Sequence, residues 1–175
     1  MSDLIPDDYT ATLEELKRQV HEARLRVQRK ANTELLQLWW QIGRTIIDRQ
    51  AEQGWGSKVL DRLAADLRAE FPSMKGFSRR NLLYMRAFAG AWPDATEIVQ
   101  RPIAQLPWGH VIELLDKLDD QETRNWYAAK DAHHQWSRPM LAHQITTRLH
   151  EREAAAPSNF AGALERLDSD QAQEL

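Results

Sequence analysis

The hydrophobic positions of this chain recur at intervals of three and four residues over most of its length, which is the period of an amphipathic helix. The first such stretch begins at Thr12, where Glu15 completes a capping-box pattern, and it continues without a glycine or proline to Ile42. Gly43 alone interrupts the pattern before Gly54. We therefore predict an unusually long N-terminal helix.

The apolar stripe of this helix changes character along its length. The first half carries apolar residues at alternating three- and four-residue steps, as a coiled coil does: Leu13, Leu16, Val20, Ala23 and Val27. The second half has the wider stripe of a core helix: Ala31, Leu35, Leu38, Ile42 and Ile46. We expect the first half to pack against a partner and the second half to enter the domain.

Two shorter helices joined by a turn are predicted between Trp55 and Trp92. The first starts with Ser57 as its N-cap and buries the apolar residues Val59, Leu60, Leu63, Leu67 and Phe71. The chain reverses within residues 72–76, which hold a proline and a glycine, and Ser78 caps the next helix. That helix buries Leu82, Met85, Phe88, Ala89 and Trp92. The pattern predicts a helix-turn-helix at about residues 56–92.

Basic residues are concentrated in this pair of helices. Residues 55–92 hold seven Lys/Arg against three Asp/Glu, a local charge of +4 in a chain whose net charge is -3. In a DNA-binding helix-turn-helix the first residues of the second helix meet base edges, where Arg pairs with guanine and Asn with adenine. The candidate DNA-binding residues are Arg79, Arg80, Asn81 and Arg86, with Lys58, Arg62 and Lys75 as phosphate contacts. The alternative is an ordinary two-helix hairpin with a solvated basic face.

Five segments span most of the chain in a fixed order. They are LWWQIGRTI (38–46), GWGSKVLDRLAADLRAEFP (54–72), GFSRRNLLYMRAFAGAW (76–92), LPWGHVIELLDKL (106–118) and SNFAGAL (158–164). In this order they resemble the N-terminal domain of the YhcG-like family of bacterial PD-(D/E)XK nucleases. The resemblance implies an α-helical, DNA-binding-type module that a separate C-terminal nuclease domain follows in the family.

The nuclease motif itself is not found in this sequence. It needs two acidic residues and a lysine on adjacent strands, where they hold a divalent metal and polarise a phosphate. We therefore expect a non-catalytic module. The expected partners are duplex or branched DNA, a second copy in a homodimer, and the C-terminal nuclease domain of a full-length protein. The alternative is a protein-protein assembly domain without direct DNA contact.

Composition favours an all-α fold, and the resemblance implies a protein of the bacterial cytoplasm. Charged residues make up 28% of the chain, and Gly and Pro number only seven each, without strand-like alternation. The seven tryptophans predict that large rings organise the packing. The lack of cysteine rules out disulfides and disfavours structural zinc. No apolar run is long enough to span a membrane, so no membrane partner is expected.

The domain is predicted to lie between two peripheral ends. Residues 1–11 are predicted as a flexible leader, residues 12–150 as the helical DNA-binding and assembly domain, and residues 151–175 as an acidic linker or tail toward an absent nuclease domain. Four histidines lie close together in sequence: His133, His134, His143 and His150. No acidic or Cys partner joins them at ligand spacing. We therefore expect no metal, cofactor or catalytic residue.

Overall fold

The computed structural model describes residues 6–156 of the chain. Its helices are α1 (Tyr9–Gln53), α2 (Ser57–Glu70), α3 (Arg79–Ala91), α4 (Ala95–Gln100), a 3-10 helix (Pro102–Gln105), α5 (Trp108–Lys117), α6 (Gln121–His134) and α7 (Arg138–Thr146). Residues 149–156 are also helical. Because no strand occurs within residues 6–156, the all-α prediction is confirmed. Residues 157–175 of the predicted tail, which include segment 158–164, lie outside the described residues, as do residues 1–5 of the predicted leader.

The long N-terminal helix is confirmed, but its ends differ from the prediction. α1 begins at Tyr9, three residues before the predicted start, and Asp8 is its N-cap without a side-chain hydrogen bond. The capping box predicted at Thr12 is therefore wrong, because the Thr12 amide already donates to the Asp8 carbonyl at 2.9 Å within the helix. α1 ends at Gln53, where Gly54 adopts the left-handed conformation with φ 64°. Glycine is common at this position since it has no Cβ to clash.

The two halves of α1 have different surroundings. The second half of α1 contributes its buried residues to the core: Leu36, Trp39, Gly43 and Ile46. In the first half, the side chains up to Lys30 are exposed except those of Leu13 and Ala23, which are half-buried. The helix meets the rest of the domain where the Asn32 amide donates to the Leu106 carbonyl at 2.9 Å. The sequence-based division into an outer and a core half therefore agrees with the burial.

α3 lies at the centre of the core. The predicted inward residues Leu82, Met85, Phe88, Ala89 and Trp92 are all fully buried. The Phe88 ring packs against Trp92 and Trp108, with centroid distances of 5.6 and 5.4 Å. The indole nitrogen of Trp40 donates to the Trp92 carbonyl at 2.7 Å, which fixes α1 against the end of α3. Large rings thus organise the packing, as the tryptophan content predicts.

Four predicted core positions and one predicted cap are wrong. Ala31, Leu38, Val59 and Phe71 are exposed, the last three at 37%, 40% and 46% of their surface. α2 fully buries only Leu60 and Ala64, so its inward stripe is narrower than the spacing of its apolar residues suggested. Ser57 is the first residue of α2, and the N-cap is Gly56.

The later helices start at side-chain caps. Asp94, Asp120 and Ser137 each accept a backbone N–H from the first turn of α4, α6 and α7, as Ser78 does for α3. Such caps satisfy amides that have no partner within the helix. Among the described residues, no helix has both the length and the apolar character that crossing a bilayer requires.

Candidate nucleic-acid interface

The first turn of α3 carries two arginines and no carboxylate. Ser78 holds this end of the helix, since its hydroxyl accepts a hydrogen bond from the Asn81 amide at 3.0 Å. Arg79 and Arg80 directly follow this cap, and both are exposed. Positive side chains at a helix N-terminus are repelled by the positive end of the helix dipole. An anion bound there would be stabilised by the dipole and by the two arginines.

Arg79 joins α3 to α2 through an ion pair. Its Nε lies 3.3 Å from Oδ1 of Asp61, and about half of each side chain is exposed. Lys58 and Arg62 lie on the same helix as Asp61 and are exposed, with Arg62 3.7 Å from Asp66. Exposed pairs of this kind contribute little to stability, so a phosphate can displace them at low cost. The structure thus brings the start of α3 next to the cationic side of α2.

Arg80 points to the neighbouring helix α5. Its guanidinium donates to the Tyr84 hydroxyl at 3.4 Å and lies over the ring of the same tyrosine, 5.7 Å from the centroid. The Tyr84 hydroxyl in turn donates to the Asp116 carboxylate at 2.9 Å. The hydrogen bond to Tyr84 raises the pKa of Arg80 above its ordinary value. Arg80 is therefore a permanently charged group held by the half-buried ring of Tyr84.

Asn81 has a structural role that differs from the predicted base contact. Its amide nitrogen donates to the Gly76 carbonyl at 2.7 Å, and its amide oxygen accepts from the indole nitrogen of Trp108 at 2.7 Å. Both ends of the half-buried side chain are occupied by the turn and by α5. The inclusion of Asn81 among base-reading residues is therefore corrected, because its donor and acceptor are already used within the fold.

The remaining candidates lie in separate places. Lys75 is exposed in the turn, beside Gly76 at φ 117°. Arg86 is half-buried at the contact of α3 with α1, where it donates to Gln50 Oε1 at 3.2 Å. The turn runs from Phe71 to Ser78 and is longer than the three or four residues typical of a helix-turn-helix. Five of the candidate cations are exposed on α2, in the turn or at the start of α3, and we call them the basic face: Lys58, Arg62, Lys75, Arg79 and Arg80.

A buried polar pair escaped the sequence analysis. Nδ1 of His110 on α5 lies 2.6 Å from Oδ2 of Asp131 on α6, and the two residues are only 7% and 2% exposed. They line one side of a cavity of about 620 Å³, with Leu25 and Arg29 of α1 among its other walls. No local sequence pattern predicts the pair. Each residue lies at an inward position of its own helix, and nothing in the spacing shows that the two side chains meet.

The clustered histidines take part in aromatic packing. His134 stacks on Trp136 with a centroid distance of 5.4 Å, and His150 packs edge-on against Trp126 at 4.9 Å. Among residues 6–156, no group of three or more His, Asp or Glu side chains is arranged to hold a metal ion.

The model of one protein family, the DUF1016 N-terminal domain, matches residues 15–152. The chain belongs to this family. The match agrees with the resemblance to the N-terminal domain of the YhcG-like nucleases, which is thereby confirmed. Comparison with curated proteins and with solved structures finds no match. The matched range of this DUF1016 N-terminal domain includes the whole basic face and the buried His110–Asp131 pair.

Proposed function

We propose that this DUF1016 N-terminal domain is a DNA-binding module that dimerises and brings a PD-(D/E)XK-type nuclease domain to duplex or branched DNA in the bacterial cytoplasm. In this proposal the module takes no part in the chemistry. The observation that carries the proposal is the first turn of α3, which exposes Arg79 and Arg80 and holds no carboxylate.

The chemistry of the basic face suits a phosphate backbone. Arginine binds phosphate through two parallel N–H donors, and the amides at a helix N-terminus add to the attraction. Lys58, Arg62 and Lys75 supply further cations from α2 and the turn. Binding requires Arg79 to exchange Asp61 for a phosphate. The exchange is cheap because half of the Arg79 side chain is already in solvent.

Fluorescence anisotropy of labelled DNA at several salt concentrations tests the proposal. The double variant Arg79→Ala with Arg80→Ala is expected to bind more weakly and with a shallower salt dependence, since each lost phosphate contact lowers the log–log slope by about 0.9. The matched control is Arg101→Ala with Lys130→Ala, which removes the same charge from α6 and the end of α4 and is expected to keep the wild-type slope. An equal slope in wild type and the Arg79/Arg80 variant would overturn the assignment.

A second candidate function is assembly without DNA contact. The observation that favours it is the exposed apolar stripe in the first half of α1, where Leu16, Val20 and Val27 are 52%, 57% and 67% exposed. A folded wild-type chain that dimerises but does not bind duplex or branched DNA near physiological salt would select this function over the first.

A further inference from the structure

The first half of α1 extends from the body of the domain. We call residues Tyr9–Gln28 the arm. The side-chain hydrogen bonds and ion pairs of the arm stay within α1, such as Arg18 with Glu15 at 2.6 Å and with Glu22 at 2.7 Å. Among the described residues, side-chain hydrogen bonds between α1 and the neighbouring body begin at Asn32 and Thr33, which donate to the Leu106 and Ala104 carbonyls.

Six apolar residues of the arm share one face. They follow the spacing of a coiled-coil seam: Tyr9, Leu13, Leu16, Val20, Ala23 and Val27. At 100° per residue, Val27 points about 200° away from Leu25 and Arg29. Those two residues line the cavity against the body. The seam therefore faces away from the domain, so a helix of another molecule has access to it.

The length of the arm fits an antiparallel copy of itself. In an antiparallel pair centred on Arg18, residue 16 lies opposite residue 20 of the other copy, residue 13 opposite residue 23, and residue 9 opposite residue 27. Apolar residues thus meet apolar residues at every position of the seam. The helix of the second copy starts at Tyr9, beside Val27 of the first, and so ends before Asn32, where the body begins.

The charges of the arm distinguish the two possible orientations. Residues 7–22 hold five acidic and two basic side chains, whereas residues 23–30 hold four basic and none acidic. Those four cations, Arg24, Arg26, Arg29 and Lys30, form no ion pair among the described residues. An antiparallel pair places each basic block beside the acidic start of the other copy. A parallel pair would place the two basic blocks side by side.

We infer that a second copy of this chain docks on the arm and forms an antiparallel two-helix coiled coil, with the two domains at opposite ends. This inference rests on the dimerisation part of the proposed function and is independent of DNA binding. It places the two basic faces at the two ends of one rigid connector.

Disulfide cross-linking tests the orientation, because the natural chain has no cysteine that would interfere. Chains with Leu13→Cys and chains with Ala23→Cys are oxidised mildly, alone and as an equimolar mixture in which one chain carries a size tag. We expect the mixed disulfide in the mixture and no rapid disulfide in either chain alone. Rapid cross-linking of Leu13→Cys alone would show a parallel pair and overturn the inference. A wild-type chain that sediments as a monomer in analytical ultracentrifugation would also overturn the inference.

Charge insertion tests the seam separately from DNA binding. The variant Leu16→Glu with Val20→Glu puts carboxylates into the seam, and both positions are exposed in the monomer, so the helical circular dichroism is expected to persist. The dimer dissociation constant is expected to rise tenfold or more, on the order of 1.4 kcal/mol at least. Ala11→Glu, on the side of the same helix opposite the seam, is expected to leave the dimer dissociation constant unchanged. Fluorescence anisotropy with labelled DNA on the same samples shows whether DNA binding is lost independently of dimerisation. An unchanged dimer dissociation constant in the Leu16→Glu/Val20→Glu variant would contradict the inference.

Discussion

Gly43 of α1 lies against the backbone of Met85 of α3. A Cβ built on Gly43 would overlap with both the oxygen and the carbon of the Met85 carbonyl group. Real side chains do not approach backbone atoms so closely, so the two helices cross at a distance that only glycine permits. Because Met85 belongs to the fully buried face of α3, this crossing sets the position of the helix that carries Arg79 and Arg80.

Gly43→Ala is expected to destabilise the fold by about 3 kcal/mol or more, because α1 and α3 must move apart and disturb the core around Met85. Chemical denaturation followed by circular dichroism measures the change. Gly90→Ala on α3 is the matched control. There the added Cβ meets only Ile47 Cδ1 at 3.9 Å, so the better helix propensity of alanine is expected to stabilise by roughly 0.5–1 kcal/mol. Equal effects at both glycines would contradict the close crossing.

Asn81→Ala is expected to destabilise the fold by about 1–3 kcal/mol, since it leaves the buried indole N–H of Trp108 and the Gly76 carbonyl without their partner. Denaturation monitored by tryptophan fluorescence measures this cost. Under native conditions the folded variant is expected to bind DNA as the wild type does, because the side chain is used within the fold. A large loss of DNA affinity with unchanged stability would restore Asn81 as a base-reading residue.

The sequence predicts features that depend on residues a few positions apart, such as helix faces and caps. It does not predict contacts between residues that are far apart in the chain. The inward face of α3 and the Ser78 cap follow from spacing within a few positions, and both are confirmed. The bond of Asn81 to Trp108 joins residues that lie 27 positions apart. The crossing of Gly43 with Met85 also depends on how two separate helices meet. No helical period encodes either contact.

In the candidate site, too, some features could be predicted from the sequence and others could not. The exposure of Arg79 and Arg80 follows from their angle on the helix, and the structure agrees with it. Their partners Asp61 and Tyr84 were not foreseen, because the pairing depends on the path of the turn and on side-chain rotamers. The exposed Val59 and Phe71 show the opposite error, since apolar spacing predicts a stripe but not how much of it a neighbour covers.

The stability of the fold is expected to fall in acid partly through its aspartate caps. Hydrogen bonds from Thr123 to Asp120, and from Thr96 to Asp94, lower the pKa of both carboxyl groups below the ordinary aspartate value of 3.8. A carboxyl group whose pKa is lowered in the folded state stabilises the fold at pH values above its unfolded-state pKa of 3.8. This stabilisation is lost as the pH falls through the folded-state pKa.

Replacement of both caps by asparagine separates the charge from the cap. Asp94→Asn with Asp120→Asn keeps a good N-cap residue and removes the titrating group, so the loss of stability below about pH 3.8 is expected to be smaller than in wild type. Urea denaturation at neutral and acidic pH measures the difference. Asp119→Asn, which changes the neighbouring exposed carboxylate, is the control. Identical acid profiles for wild type and the double variant would disprove the role of the caps.

The buried His110–Asp131 pair is expected to behave as one unit in a double-mutant cycle. His110→Leu leaves the Asp131 carboxylate, which is 2% exposed, without its 2.6 Å partner, and such a loss typically costs about 3–5 kcal/mol. The double variant His110→Leu with Asp131→Leu removes both polar groups and is expected to recover most of that stability, because replacement of a buried pair by apolar residues is often nearly neutral. Denaturation of the four chains of the cycle gives the interaction free energy. Additive effects of the two leucine substitutions would show that the pair contributes no coupling to the fold.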